Sequence, residues 1–149
     1  MSEPVRLPDA EHRERAARVF DRNLVVEAGA GTGKTSLLVE RLLVAIGSGG
    51  ATLGSVAAIT FTEKAAAELR ERLALGLDRL RLLAAREAGR GDLDPAADAD
   101  RAYAWLRLES GVAAEAIGRR ALEALVDLDA SSVSTIHAFC SEILRRHPR

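Results

Sequence analysis

The chain has 149 residues, 48% of them hydrophobic and 29% charged, with a net charge of −1. That length supports one domain with a substantial core and excludes two large ones. The balanced charge excludes a globally basic nucleic-acid-binding surface, so any such contact must be made by a local groove.

With only 3% aromatic residues, the core must be built from Leu, Ala, Val and Ile. The single cysteine, Cys140, excludes an internal disulfide framework and fits a reducing, cytoplasmic location. No apolar run approaches the roughly 18 residues of a membrane span, so no membrane association is expected. The acidic opening Met1-Ser2-Glu3-Pro4 does not read as a secretory signal.

In chain order, residues 8–22 read as a helix opened by Pro8 and capped by Asp9. Leu24, Val25 and Val26 form a short apolar run suited to a strand buried on both faces. A glycine-rich turn follows, and a helix starts near Gly33, apolar around most of its circumference and ended by Gly47, Ser48, Gly49 and Gly50. A second buried strand is expected over Val56 to Thr60, which would make strand, helix and strand one right-handed βαβ unit.

From Thr62 to about Ala85 the recurrence of Ala66, Leu69, Leu73, Leu77, Leu80 and Ala84 predicts a long amphipathic helix. Glu68 and Arg72 are spaced to pair on its outer face. Gly76 interrupts the helix at a cost of about 1 kcal/mol relative to alanine, so a bend or break is expected there. A loop over 87–94 leads to two helices, near 95–109 and 112–127, read together as a helical insertion over about 87–130. Ser132 to Ile136 reads as a third short strand. His137 to Arg146 reads as a last helix, with Phe139, Ile143 and Leu144 facing inward.

The chemistry concentrates between Ala28 and Thr35, read as Ala28-Gly29-Ala30-Gly31-Thr32-Gly33-Lys34-Thr35. A triphosphate is bound largely by backbone N–H groups, and residues with little or no side chain let the backbone approach it closely. Lys34 would bring a compact charge to the β and γ phosphates, and the Thr35 hydroxyl would complete the shell of a magnesium ion. These two are the candidate catalytic residues, and Ala28 to Thr35 together are the candidate nucleotide-binding residues.

The strict phosphate-loop pattern asks for glycine at position 28, so Ala28 marks a variant with a small residue there. The plainer alternative is a glycine-rich turn that binds nothing. Lys34 and Lys64 are the only lysines in an arginine-rich chain. A planar guanidinium cannot replace an ammonium as a point charge within a phosphate cradle.

Three blocks carry a family resemblance: the loop Ala28 to Thr35, the segment Ile59-Thr60-Phe61-Thr62-Glu63-Lys64-Ala65-Ala66-Ala67-Glu68-Leu69-Arg70, and Ser134-Thr135-Ile136-His137-Ala138-Phe139-Cys140. In this order they resemble the first motifs of superfamily 1 DNA helicases of the UvrD/Rep type. The wording around Val26-Glu27-Ala28 and Ser134 to Cys140 is most similar to the helicase parts of RecB-like and AddA-like exonuclease subunits. The resemblance covers nearly the whole chain.

It implies a RecA-like α/β fold, a P-loop NTPase parallel sheet with helices on both faces, here as an incomplete first helicase domain. It implies ATP and Mg2+ at the loop. Single-stranded DNA or a duplex end would lie along Thr60, Phe61, Thr62, Lys64, Thr135 and His137, and a second nuclease-helicase subunit is the implied partner. The implied activity is ATP-dependent DNA unwinding in recombinational double-strand break repair. An aromatic ring flanked by hydroxyls and helix-terminal N–H groups suits a sequence-tolerant grip on a single strand.

Plainer readings stand beside these roles. Phe61 could be core, Lys64 a solvated helix residue and His137 a structural histidine. Cys140 and Trp105 read as buried apolar residues. Asp92, Asp94, Asp98 and Asp100 read as caps and solvated charges more simply than as a metal site.

The sequence departs from the family in holding His12 and Arg13 where an adenine-reading glutamine is usual. The acidic motif that holds magnesium and activates water is expected beyond Arg149, as are the later arginines. Leu125-Val126-Asp127 imitates an acidic strand end, but Ile117, Ala121, Leu125 and Leu128 recur at helical steps. The expectation is therefore the N-terminal part of a longer enzyme or a truncated remnant, with little or no ATPase activity alone. The competing readings are a small P-loop phosphotransferase and a non-hydrolysing remnant that binds nucleotide or DNA.

Overall fold

The structure is a computed structural model that describes residues 9–148. Pro8 lies outside the described residues. Six α-helices and a two-stranded parallel sheet follow one another as α1 (Ala10–Arg18), α2 (Lys34–Ser48), β1 (Ala57–Thr60), α3 (Glu63–Ala85), α4 (Asp98–Tyr103), α5 (Ala114–Val126), β2 (Ser132–Thr135) and α6 (Ile136–Arg146).

The first helix is rich in Ala, Glu and Arg, all strong helix formers. It stops four residues short of its predicted end. Its last carbonyls are taken over by Arg41 of α2, whose Nη1 donates to Ala16 O at 2.6 Å and Val19 O at 2.8 Å. The same guanidinium stands over the Phe20 ring at 4.2 Å, closing α1 onto α2.

The second helix runs through the core. Val39, Glu40 and every residue from Leu42 to Gly47 are buried, as its nearly all-round apolar sequence requires. Gly49 ends it in a left-handed conformation at φ 81°. The third helix carries Leu69, Leu73, Leu77, Leu80 and Leu83 along its buried face. Glu68 and Arg72 do pair on its surface, at 3.2 Å.

Gly76 does not break α3, which is continuous from Glu63 to Ala85. A Cβ at Gly76 would lie 2.8 Å from Leu43 Cδ1, so glycine here lets the two helices approach closely. The glycine therefore serves packing between elements and not a hinge.

Segment 95–109 is not one uniform helix. After a turn in which Ala97 N donates to Asp94 O, α4 occupies only Asp98–Tyr103 and then widens into a π-helical stretch, Ala104–Glu109. There Ser110 N reaches back to Trp105 O at 2.8 Å. Leu106 and Tyr103 are fully buried, and Trp105 packs against the core partly buried. Leu125-Val126-Asp127 falls at the end of α5, with Asp127 as C-cap, so the helical reading of that stretch holds.

Charged side chains join the helices from within. Arg101 donates to Glu40 of α2 at 2.8 Å and to Asp98 at 2.6 Å, while Arg120 of α5 donates to Gly47 O at 2.9 Å. Asp100 is 1% exposed and accepts both arms of Arg79, at 2.8 and 2.7 Å, as well as the backbone N–H of Asp94. These partners account for Asp98 and Asp100, and the carboxylates of Asp92 and Asp94 accept from the backbone N–H groups of Gly89 and Ala96, both at 2.9 Å. Among the described residues no group of three or more His, Cys, Asp or Glu could hold a metal ion.

In the sheet, β1 and β2 pair in parallel with Ala57 opposite Ser132 and Thr60 opposite Thr135. Leu24, Val25 and Val26 are not a strand. No neighbouring segment among the described residues offers them a ladder, and Val25 is 89% exposed, so the expected burial on both faces is absent. The expected unit of strand, α2 and strand is accordingly not formed. The parallel pair is instead connected through α3, α4 and α5.

The last helix also differs from its predicted packing. None of its residues is buried, Ile143 and Leu144 are exposed, Phe139 is half-buried and Cys140 is exposed. Its amphipathic pattern is legible in the sequence, but among the described residues nothing covers its apolar face.

Glu87 adopts φ 47° just past the end of α3, where Ala88 N donates to Leu83 O and Glu87 N to Ala84 O. Left-handed backbone there favours glycine, so Glu87→Gly should stabilise the fold by about 0.5–1 kcal/mol, read as a raised denaturation midpoint at unchanged m.

Burial alone would push the Asp100 carboxyl up, but the Arg79 hydrogen bonds, the Asp94 N–H and the Arg79 and Arg86 charges outweigh it and hold the group below its ordinary 3.8. A depressed folded value means that the carboxylate stabilises the fold above the unfolded value and that this is lost as pH falls through the folded one. Asp100→Asn should therefore cost about 2 kcal/mol at neutral pH, moderated by the half-exposed Arg79, and the difference from wild type should shrink in melts below about pH 4.

Candidate functional site

Glycine sets the loop geometry. Gly31 and Gly33 both take left-handed backbone, at φ 74° and 83°, and Gly33 is the N-cap residue of α2. These two conformations turn the chain into the helix so that Lys34 and Thr35 form its first turn, both exposed. Thr32 Oγ1 donates to Gly29 O at 2.7 Å and ties the loop across its own base.

The Lys34 ammonium folds back onto the loop and donates to Ala28 O. A carbonyl is a neutral acceptor, and an anionic oxygen would form the stronger, charge-assisted bond. Where a Cβ on Gly31 would stand there is no atom within 4 Å, so that side of the loop opens onto free space. The positive end of a 15-residue helix and the ammonium of its first residue thus both belong to the loop.

A cleft of about 440 Å³ lies beside the loop. Ala28, Thr32, Gly33 and Lys34 form its loop wall, Leu24 to Glu27 continue that wall, and Asp9, His12, Arg13 and Arg15 of the first-helix segment face them. Its size is within the range of small-molecule sites.

The second group of predicted residues gathers at the carboxyl end of the sheet. Thr60 and Thr135 are paired in register, so the chain leaves both strands at the same edge and enters α3 and α6 there. Each helix is capped by a threonine: Thr62 Oγ1 accepts from Ala65 N at 3.1 Å, and Thr135 Oγ1 accepts from Ala138 N at 3.3 Å. Phe61 projects from this edge at 91% exposure, and Lys64 and His137 are exposed beside the two helix starts.

Thr135 differs from the rest. It is buried, and its hydroxyl also donates to Glu63 Oε1 at 3.0 Å, binding the two helix starts together. Thr60 Oγ1 donates to Thr62 O at 3.0 Å. The structure therefore gathers Thr60, Phe61, Thr62, Lys64, Thr135 and His137 at one edge, with the ring almost fully in solvent.

Sequence reasoning noticed Arg13 only as a departure and missed what it does. Its Nε donates to Asp9 Oδ2 at 2.6 Å and its Nη2 to Thr32 O at 2.7 Å, fastening α1 to the loop. The four-residue spacing of Asp9 and Arg13 was the available signal.

Residues 9–149 match the UvrD/REP helicase N-terminal domain family. The chain belongs to this family. It is 32% identical to an ATP-dependent helicase/nuclease subunit of Syntrophomonas wolfei and 30% identical to the protein of the same name in Ligilactobacillus salivarius, over 91% of this chain in each case. It is also 50% identical to the ATP-dependent DNA helicase UvrD1 of Mycobacterium bovis over 41% of its length.

The chain spans about 8% of the length of these relatives. The UvrD/REP resemblance read from the three blocks is thus the family that nearly the whole chain matches. No described helix is long and apolar enough to cross a membrane.

Proposed function

We propose that this UvrD/REP-family chain is the ATP-binding front of a DNA helicase or translocase of the helicase/nuclease branch. It would work with a second subunit on single strands and duplex ends during recombinational break repair in the cytoplasm. The observation that carries the reading is the loop, in which left-handed Gly31 and Gly33 deliver the chain into the start of α2 with Lys34 and Thr35 in its first turn. The small two-stranded parallel sheet flanked by helices fits an incomplete RecA-like P-loop domain.

In this reading Ala28 to Gly33 cradle the phosphates with backbone N–H groups, and Lys34 exchanges Ala28 O for a phosphate oxygen. Thr35 would hold magnesium through its hydroxyl, and the ion would supply charge neutralisation for the phosphates. At the sheet edge Phe61 stacks on a base, while Thr60, Thr62, Lys64 and His137 face the sugar-phosphate backbone. Thr135 acts there by holding the two helix starts together through Glu63. The 91% exposure of an aromatic ring in a chain with so few favours a partner for it over a core role.

Lys34→Ala should weaken binding of a fluorescent ATP analogue with magnesium by at least about tenfold while leaving the melting temperature unchanged, because the side chain is exposed and its bond to Ala28 is local. Equal affinity of variant and wild type would refute the loop assignment. Phe61→Ala should weaken single-stranded oligonucleotide binding, followed by fluorescence anisotropy, by roughly 5- to 100-fold, the range for loss of one base-stacking ring. An unchanged anisotropy titration would remove Phe61 from the interface.

A further inference from the structure

Three side chains and carbonyls join the first-helix segment to the phosphate loop in a fixed order. Asp9 accepts from Arg13 Nε at 2.6 Å, and Arg13 Nη2 donates to the Thr32 carbonyl at 2.7 Å. The third nitrogen, Nη1, stands by the last loop residue, since a Cβ on Gly33 would lie 3.3 Å from it. The guanidinium thus occupies the loop end of the cleft.

Arg13 could act there in two ways, by reading the base or by shaping the loop. A guanidinium has five donors and no acceptor, so it cannot receive the amino proton of adenine as a glutamine amide can. Two of its three nitrogens are also already engaged, one by a carboxylate and one by the loop itself. Holding the Thr32 carbonyl toward α1 sets the orientation of the peptide between Thr32 and Gly33, whose N–H points the opposite way. That N–H belongs to the group that must face an anion.

We propose that Arg13, oriented by Asp9, is a positioning residue for the phosphate loop. It presets the loop's backbone N–H groups for a triphosphate and contributes no base selectivity. The inference rests on the nucleotide reading of the site and deepens it. The site recognises the polyphosphate chain from this side, so nucleoside triphosphates differing in base gain equally from Arg13. Lysine cannot replace it, because one ammonium does not hold a carboxylate and a carbonyl in the fork geometry of a guanidinium.

The test is calorimetric titration of the 149-residue chain with ATP, GTP and inorganic tripolyphosphate, each with magnesium, for wild type, Arg13→Ala, Arg13→Lys and Asp9→Asn. Arg13→Ala is expected to weaken all three ligands by the same factor, about tenfold, as a charge-assisted hydrogen bond to the loop is lost. Asp9→Asn should produce a smaller loss, again equal across ligands, and Arg13→Lys should recover less than half of the loss. Melting curves check that each variant remains folded.

A loss confined to ATP, with tripolyphosphate unaffected, would assign Arg13 to the base and overturn the proposal. So would a lysine variant equal to wild type, which would reduce the role to charge alone. Wild-type binding with an unchanged Arg13→Ala titration would overturn the positioning role while leaving the nucleotide reading intact. Absence of wild-type binding to any of the three would remove both.

Discussion

The burial of α2 on nearly every side is the constraint on which the rest of the structure depends. From Val39 to Gly47 this helix is enclosed by α3, α4 and α5, with Leu43 and Val44 at zero exposure. A helix held in this way has little freedom to rotate or slide, because each buried Leu or Val contributes about 1.5–3 kcal/mol in one packing arrangement only. Its first turn, where Lys34 and Thr35 stand, is thereby fixed although both side chains lie in solvent. Rigid burial at one end of the element gives definite placement at the other.

Arginine supplies the polar joints around this helix. Arg41 holds the end of α1, Arg101 reaches Glu40, Arg120 reaches Gly47 O and Arg13 reaches the loop. These guanidinium groups satisfy carbonyl or carboxylate oxygens at helix ends and element crossings, where backbone acceptors otherwise lack partners. These contacts fix orientation, while the Leu-rich contacts between α2, α3 and α5 carry the burial. The division explains how a chain with so few aromatic residues builds a defined arrangement.

What can be read from the sequence is mostly local. The period of Leu69, Leu73, Leu77 and Leu80 gives α3 nearly to its ends, and Thr62 is legible as its start, whereas Thr135, expected within a strand reaching Ile136, is the cap of α6. The loop glycines are likewise readable, since left-handed backbone demands them at Gly31 and Gly33. Features decided by distant partners are not. Leu24 to Val26 has the composition of a buried strand, but a strand needs a neighbour, and composition says nothing about whether one is present. Gly76 reads as a weak point because the approach of Leu43 across the helix interface leaves no trace in the local pattern. Cys140 as a small apolar residue and Leu144 on an apolar stripe both suggest burial, yet neither signal supplies a covering surface.

The chain's scarcity of lysine gives the folded-back Lys34 a practical consequence. Only two lysine side-chain amines exist, one bonded to Ala28 O within the loop and one, on Lys64, in open solvent at the head of α3. An acylating reagent therefore meets two chemically separate targets. Their relative labelling in a single mass spectrum would report the state of the loop against a built-in internal standard, without a chromophore or any modification of the ligand.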